Sequence, residues 1–152
     1  MRLSQLLKDA GVAGALQRDP QVTGISYDSR RVAPGDLFVA VPGFHTDGRR
    51  FVPDALDRGA VAAVVEDGAA GDLPSAVLAV TVPSARAALA RLAAAFYGHP
   101  ARKLRVVGVT GTDGKTTTAH LISAVLEKGG FRTGIIGTVY LKIGDRLIPN
   151  PY

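Results

Sequence analysis

Apolar residues fall at i, i+3, i+4 and i+7 in Leu3, Leu6, Leu7 and Ala10. That spacing predicts a short amphipathic helix over 3–10, ended by Gly11. Four short apolar runs then lie between turn residues, at 22–27, 36–41, 61–65 and 77–82, and each predicts a strand. Asp28-Ser29-Arg30-Arg31 and Pro34-Gly35 read as turns, and Phe44 to Arg50 as a loop. A short helix is predicted over 51–58, with Pro53 acceptable in its first turn. Pro83-Ser84 opens a further helix with an apolar stripe of Leu89, Leu92, Ala93 and Phe96; Arg86 and Arg91 lie elsewhere on the wheel. Its many alanines are strong helix formers of small volume and predict close packing against a neighbour. Gly98-His99-Pro100 stops it.

Beyond that stop the pattern changes. Val106, Val107 and Val109 suit a strand over 104–110 buried on both faces. Gly108, Gly111 and Gly114 follow in a loop, and residues 115–128 then put Leu121, Val125 and Leu126 on one helical face. A strand is expected over 132–139, giving one βαβ unit, right-handed if its strands are parallel. Gly144-Asp145, between Leu141-Lys142-Ile143 and Arg146-Leu147-Ile148, predicts a hairpin. The expected class is α/β: a small α/β domain over 1–98, then the first part of a parallel-sheet P-loop domain over 103–152. A single βαβ unit leaves its sheet uncovered, and the acidic metal residue of a later strand is missing, so the chain reads as the front of a longer protein.

The chemistry lies in the loop. Its spacing is G-x-x-G-x-x-G-K-T, from Gly108 to Thr116, where the commoner P-loop pattern would need glycine in place of Val109. A helix opening at Lys115 aims free N–H groups and a positive dipole end into the loop, and phosphate is the natural occupant. Lys115 adds a point charge near the outer phosphates, and the Thr116 hydroxyl is a candidate ligand for Mg²⁺. Thr117 reads as helix N-terminal structure rather than as a ligand to the metal or phosphates.

Composition narrows the partners. The 152 residues are 47% hydrophobic and contain no cysteine, which excludes disulfides and thiolate chemistry. His45, His99 and His120 are scattered without metal-ligand spacing. Lys8 and Asp9 interrupt the N-terminal apolar run too early for a signal peptide, and no run approaches the ~20 apolar residues of a membrane span. The expectation is a soluble cytoplasmic protein with no membrane insertion. Net charge is +5, but the basic residues are dispersed and the aromatic residues do not interleave with them. This disfavours nucleic acid and leaves a solvated surface or a small polyanionic ligand.

Thr110-Gly111-Thr112-Asp113-Gly114-Lys115-Thr116-Thr117 resembles the ATP-binding loop of the Mur ligase superfamily, where Asn often stands in place of Asp113. Tyr27-Asp28-Ser29-Arg30, Pro34-Gly35-Asp36-Leu37-Phe38-Val39-Ala40 and Gly43-Phe44-His45-Thr46-Asp47-Gly48 are similar, in order and spacing, to the N-terminal domain of that family. His45-Thr46-Asp47-Gly48-Arg49-Arg50-Phe51 favours the branch that adds the third peptide residue to the peptidoglycan precursor. The resemblance covers nearly all of the chain.

It implies an ATP-dependent ligase that joins meso-diaminopimelate or L-lysine to UDP-N-acetylmuramoyl-L-alanyl-D-glutamate through an acyl phosphate, with ATP and Mg²⁺ as cofactors. It implies that Gly111, Thr112, Asp113, Gly114, Lys115, Thr116 and Thr117 bind ATP, with Lys115 catalytic and Thr116 on the metal. The precursor's UDP end falls to Tyr27, Ser29, Phe44, His45 and Thr46, and the full enzyme is expected to be monomeric. An ordinary turn serine is the other reading of Ser29, and a solvent-facing loop residue that of His45. The alternatives for the whole are a terminal-dipeptide or folylpolyglutamate-type ligase, or a non-catalytic nucleotide-binding module descended from a ligase.

Overall fold

The computed structural model describes residues 1–43, 47–67, 73 and 77–149. The chain divides into two compact units, Met1–Arg105 and Val106–Tyr152.

The first unit is built on a four-stranded sheet. Its strands are β1 (Gly24–Ser26), β2 (Asp36–Val39), β3 (Ala62–Glu66) and β4 (Ala79–Val82), all parallel in the order β1-β2-β3-β4. Period-two alternation sends Leu37 and Val39 to one face and Phe38 and Ala40 to the other. The first face packs on α1 (Leu3–Ala10) and α3 (Ala85–Phe96) through Leu3, Leu6, Leu7 and Leu92. The second packs on α2 (Val52–Asp57) through Val52 and Ala55. A parallel sheet needs both faces covered, and here both are. Each fully buried Leu, Val or Phe contributes roughly 1.5–3 kcal/mol.

The elements start and stop for local reasons. Gly11 ends α1 by donating its N–H to the Lys8 carbonyl. The Ser84 hydroxyl accepts from Ala87 N at 3.3 Å and Glu66 Oε1 accepts from Ala85 N at 2.9 Å, so two otherwise free donors at the start of α3 are satisfied. β1, β2 and β4 are shorter than the apolar runs that predicted them, and β3 is shifted by one residue from its run. The buried stripe of α3 is Ala85, Ala88, Leu92 and Ala95, rotated from the expected one; Leu89 and Phe96 pack at its margin and Ala93 is half-buried. Alanines can sit directly against α1, so small residues take the centre of that interface.

The second unit corrects two expectations. Residues 104–110 form no strand, and Val106 and Val107 are 74% and 64% exposed. A strand exists only by pairing, and none of the described strands of this unit pairs with the segment. The sheet present is antiparallel, in the order β5-β6-β7, from β5 (Gly134–Ile136), β6 (Tyr140–Ile143) and β7 (Arg146–Pro149). The expected parallel βαβ pairing is therefore absent among the described residues, while the hairpin at Gly144-Asp145 forms as predicted. The helix α4 spans Lys115–Lys128 as expected, but Leu121 and Val125 on its apolar stripe are 62% and 72% exposed. Its sheet-facing stripe is polar: His120, Ser123 and Glu127 recur at i, i+3 and i+7.

Candidate functional site

The glycine loop precedes α4 directly. Gly114 is its N-cap residue at φ 73°, and no atom lies within 4 Å of where a Cβ would stand, so the left-handed backbone alone demands glycine. The first helical bond runs from Thr118 N to the Gly114 carbonyl at 2.9 Å. No side chain caps the first turn and no acidic residue lies in it. The N–H groups of Lys115, Thr116 and Thr117 are therefore left to an external acceptor, at the positive end of the helix dipole. Lys115 Nζ donates to the carbonyls of Gly111 at 2.6 Å and Thr112 at 2.9 Å, which folds its ammonium back over the loop. The whole loop, Gly111 to Thr117, is exposed. Chemically it can hold a phosphate chain.

For a divalent cation the loop offers the Thr116 hydroxyl. Among the described residues no three His, Cys, Asp or Glu side chains converge as a metal site. One hydroxyl suits Mg²⁺ where phosphate oxygens and water complete the coordination.

Behind α4 runs a polar network. Ser123 Oγ and Thr133 Oγ1 lie 2.6 Å apart, Thr133 Oγ1 donates to Glu127 Oε1 at 2.6 Å, and Lys142 Nζ reaches Glu127 Oε1 at 2.8 Å. Lys142 first, then Thr133, holds the Glu127 carboxyl below its ordinary range. Tyr140 Oη bonds His120 Nε2 at 2.7 Å. These contacts fix α4 to β5 and β6. The helical spacing of residues 120, 123 and 127 was a signal for them that a search for apolar stripes passes over.

The other candidate residues belong to the first unit. Tyr27, 47% exposed, leaves the carboxyl end of β1. Ser26 Oγ donates to the Asp28 carbonyl at 2.9 Å, and Ser29, buried, opens a 3-10 turn over Ser29–Arg31. Asp28 Oδ1 accepts from Arg30 N at 3.1 Å and Nε at 2.9 Å, and Oδ2 accepts from Nη2 at 2.8 Å. Arg30 accordingly lowers the Asp28 pKa to about 2. Phe44, His45 and Thr46 lie outside the described residues.

A second turn repeats the device. Asp47 Oδ1 accepts from Arg49 N at 3.0 Å and Oδ2 from Arg49 Nε at 2.6 Å, ahead of a 3-10 turn over Gly48–Phe51. Gly48 lies against the backbone after β2: a Cβ there would stand 2.5 Å from the Val41 carbonyl oxygen. Asp28-Ser29-Arg30-Arg31 and Asp47-Gly48-Arg49-Arg50 thus stand after the carboxyl ends of adjacent parallel strands, the edge where α/β sheets take ligands. The repeated Asp-x-Arg-Arg spacing is the sequence signal for this pair.

The chain thus joins a covered parallel α/β sheet with polar turns at its carboxyl edge to a glycine loop that opens a helix, the architecture of an α/β protein with a P-loop-like turn. Residues 21–97 match the Mur ligase family, catalytic domain, and residues 109–151 match the Mur ligase middle domain. The chain belongs to the Mur ligase family. It is 56% identical over 152 residues to the UDP-N-acetylmuramyl-tripeptide synthetase of Roseiflexus sp. (strain RS-1), covering 99% of this chain and 30% of the relative. The structure of a UDP-N-acetylmuramoyl-L-alanyl-D-glutamate--2,6-diaminopimelate ligase is similar with a TM-score of 0.64 at 29% identity, over 84% of this chain and 26% of that one. The MurF ligase of Thermotoga maritima in complex with ADP is similar with a TM-score of 0.53 at 35% identity, over 68% of this chain and 23% of that one. The chain therefore spans about a third or less of the length of these relatives. No helix among the described residues is long and apolar enough to cross a membrane.

Proposed function

We propose that the chain is the N-terminal part of an ATP-dependent ligase of peptidoglycan synthesis in the cytoplasm, acting as a monomer on UDP-N-acetylmuramoyl-L-alanyl-D-glutamate. Residues 1–98 would hold the UDP end of the precursor, through Tyr27, Ser29 and the 44–46 segment. Residues 103–152 would begin the ATP-binding domain, with Gly111 to Thr117 around the phosphates. The observation that carries the reading is the uncapped first turn of α4 beside Gly114, with Lys115 folded over the loop. The tripeptide synthetase name of the Roseiflexus relative supports addition of the third residue, meso-diaminopimelate or L-lysine, and the ADP in the Thermotoga relative supports the nucleotide.

In this reaction the γ-phosphoryl of ATP passes to the D-glutamate carboxylate and ADP leaves. The amine of the incoming amino acid then attacks the acyl phosphate, the amide forms, and phosphate departs. The loop's part is electrostatic: backbone N–H groups and the Lys115 ammonium stabilise charge on the moving phosphoryl. Mg²⁺, when bound, would neutralise phosphate oxygens, with the Thr116 hydroxyl as this chain's donor.

Two titrations of the isotope-labelled chain, followed by amide NMR, test the reading. ATP with Mg²⁺ should move the amides of residues 111–118, and UDP-N-acetylmuramoyl-L-alanyl-D-glutamate those of residues 27–31. Movement by ATP alone would reduce the proposal to a nucleotide-binding module, and movement by neither would reject it.

A further inference from the structure

One concavity of the first unit is lined by none of the candidate site residues. It measures about 630 Å³ and lies between the end of α1 and the outer side of α3. Ala10, Gly11, Ala90 and Ala94 contribute small side chains to it. Lys8, Arg91 and Arg102 also line it, from three separate elements, and all three are exposed, with half-buried His99 beside them.

Three cationic side chains line this hollow against one acid, Asp9, so its lining carries an excess of positive charge. No hydrogen bond or ion pair engages the side chain of Lys8, Arg91 or Arg102 among the described residues. The one acid in the lining, Asp9, already accepts from Gln5 Nε2 at 2.8 Å. Backbone donors answer four of the carbonyls near the ends of α1 and α3: Gly11 N bonds Lys8, Val12 N bonds Leu7, Gly98 N bonds Ala95 and His99 N bonds Ala94.

We propose that this groove is a second anion site, for a soluble polyphosphate-bearing ligand. Phosphoryl oxygens match the donors: two guanidinium forks and an ammonium can each take a different oxygen of a phosphate chain. The small side chains leave room for such a chain, and a concave lining suits a compact ligand better than a flat bilayer. The site lies wholly within Met1–Arg105 and is independent of the loop at 111–117.

The test is a titration of the labelled 152-residue chain with sodium tripolyphosphate, followed by amide NMR. Shifts at Gly11, Ala90, Ala94 and Arg102 are expected, fitting a binding curve separate from any shifts in residues 111–118. The double variant Arg91→Gln/Arg102→Gln should weaken the groove response by about tenfold or more and leave the loop response as it was. Lys115→Ala should do the reverse, so failure here and failure of the ligase reading are distinguishable. Phosphatidylglycerol vesicles at about 0.15 M salt form the second arm, and the chain is expected to stay in the supernatant. Sedimentation that tripolyphosphate reverses and the double variant abolishes would assign the phosphoryl group to a lipid and overturn the soluble ligand. Groove amides unmoved at millimolar tripolyphosphate, or moved equally in the double variant, would overturn the site.

Discussion

Lys115 has three N–H donors, and two of them already reach the loop carbonyls of Gly111 and Thr112. One is left to point outward, so the ammonium can brace the loop and meet a phosphate together. A hydrogen bond to a charged group is worth about 1.5–3 kcal/mol, so Lys115→Ala should weaken ATP binding about 10-fold to 100-fold by calorimetry. Lys115→Arg should not rescue it, because a planar fork cannot cover two carbonyls and a phosphate from the same stem. Asp28 makes a different kind of contribution. Its carboxyl is held at about 2 by Arg30, below the 3.8 of the free side chain. A depressed carboxylate stabilises the fold above its unfolded pKa and loses that contribution as pH falls through the folded one. Melting temperature should therefore drop between pH 3.8 and about 2, and Asp28→Asn should flatten the curve in that window. The loss at neutral pH should be small, because the Arg30 side chain is 83% exposed.

The helices of the first unit are specified by caps and by size complementarity. Ser84→Ala removes the acceptor for Ala87 N and should cost about 1 kcal/mol in denaturant unfolding. Glu66→Gln keeps an oxygen at the start of α3 and should cost less than Glu66→Ala, which leaves the Ala85 donor unanswered. Leu92→Ala opens a cavity where α3 meets the core and should cost about 2–5 kcal/mol. The extent of these elements was legible in the sequence where local signals agree: Leu3, Leu6 and Leu7 with Gly11, Ser84 before an alanine run, Gly144-Asp145 between two apolar triplets. Partners were less legible. Leu37 and Phe38 show a strand plainly, yet nothing local says that its neighbours run parallel. Val106 and Val107 carry strong strand propensity, but propensity does not supply the pairing partner a strand needs. On α4 the sheet-facing stripe is made of His120, Ser123 and Glu127, so a search for apolar periodicity chose the opposite side. At the candidate sites the glycine loop was legible because Gly114 and Lys115 stand where a helix must begin. The pairing of Asp47 with Arg49 depends on a turn closing back on itself, and it emerges only beside its counterpart at Asp28.

At the scale of the molecule the two units are held together by different physics. Every buried apolar side chain among the described residues lies between Leu3 and Ala95, and Ser123 is the buried residue of the second unit. The first unit thus has the hydrophobic driving force of a folding domain, while α4 and the β5-β6-β7 sheet rest on hydrogen bonds and the Glu127–Lys142 pair. Exposed ion pairs and hydrogen bonds contribute on the order of 1 kcal/mol each, too little to offset the ordering of a helix and three strands with a wide margin. Hydrogen exchange should therefore separate the units. The amides of β2 and β3 should exchange only with global unfolding, and those of α4 and β5 to β7 by local opening at much lower free energy. A ligand held by the loop would change that balance, because binding to the folded form alone adds about 2.7 kcal/mol at a hundredfold excess over Kd. ATP with Mg²⁺ should then slow exchange across α4, most strongly at its first-turn amides, and leave β2 and β3 unchanged. Equal protection of both units without nucleotide would show that the polar network is stronger than surface contacts usually are. Protection of α4 that nucleotide does not raise would remove the loop from the list of phosphate sites.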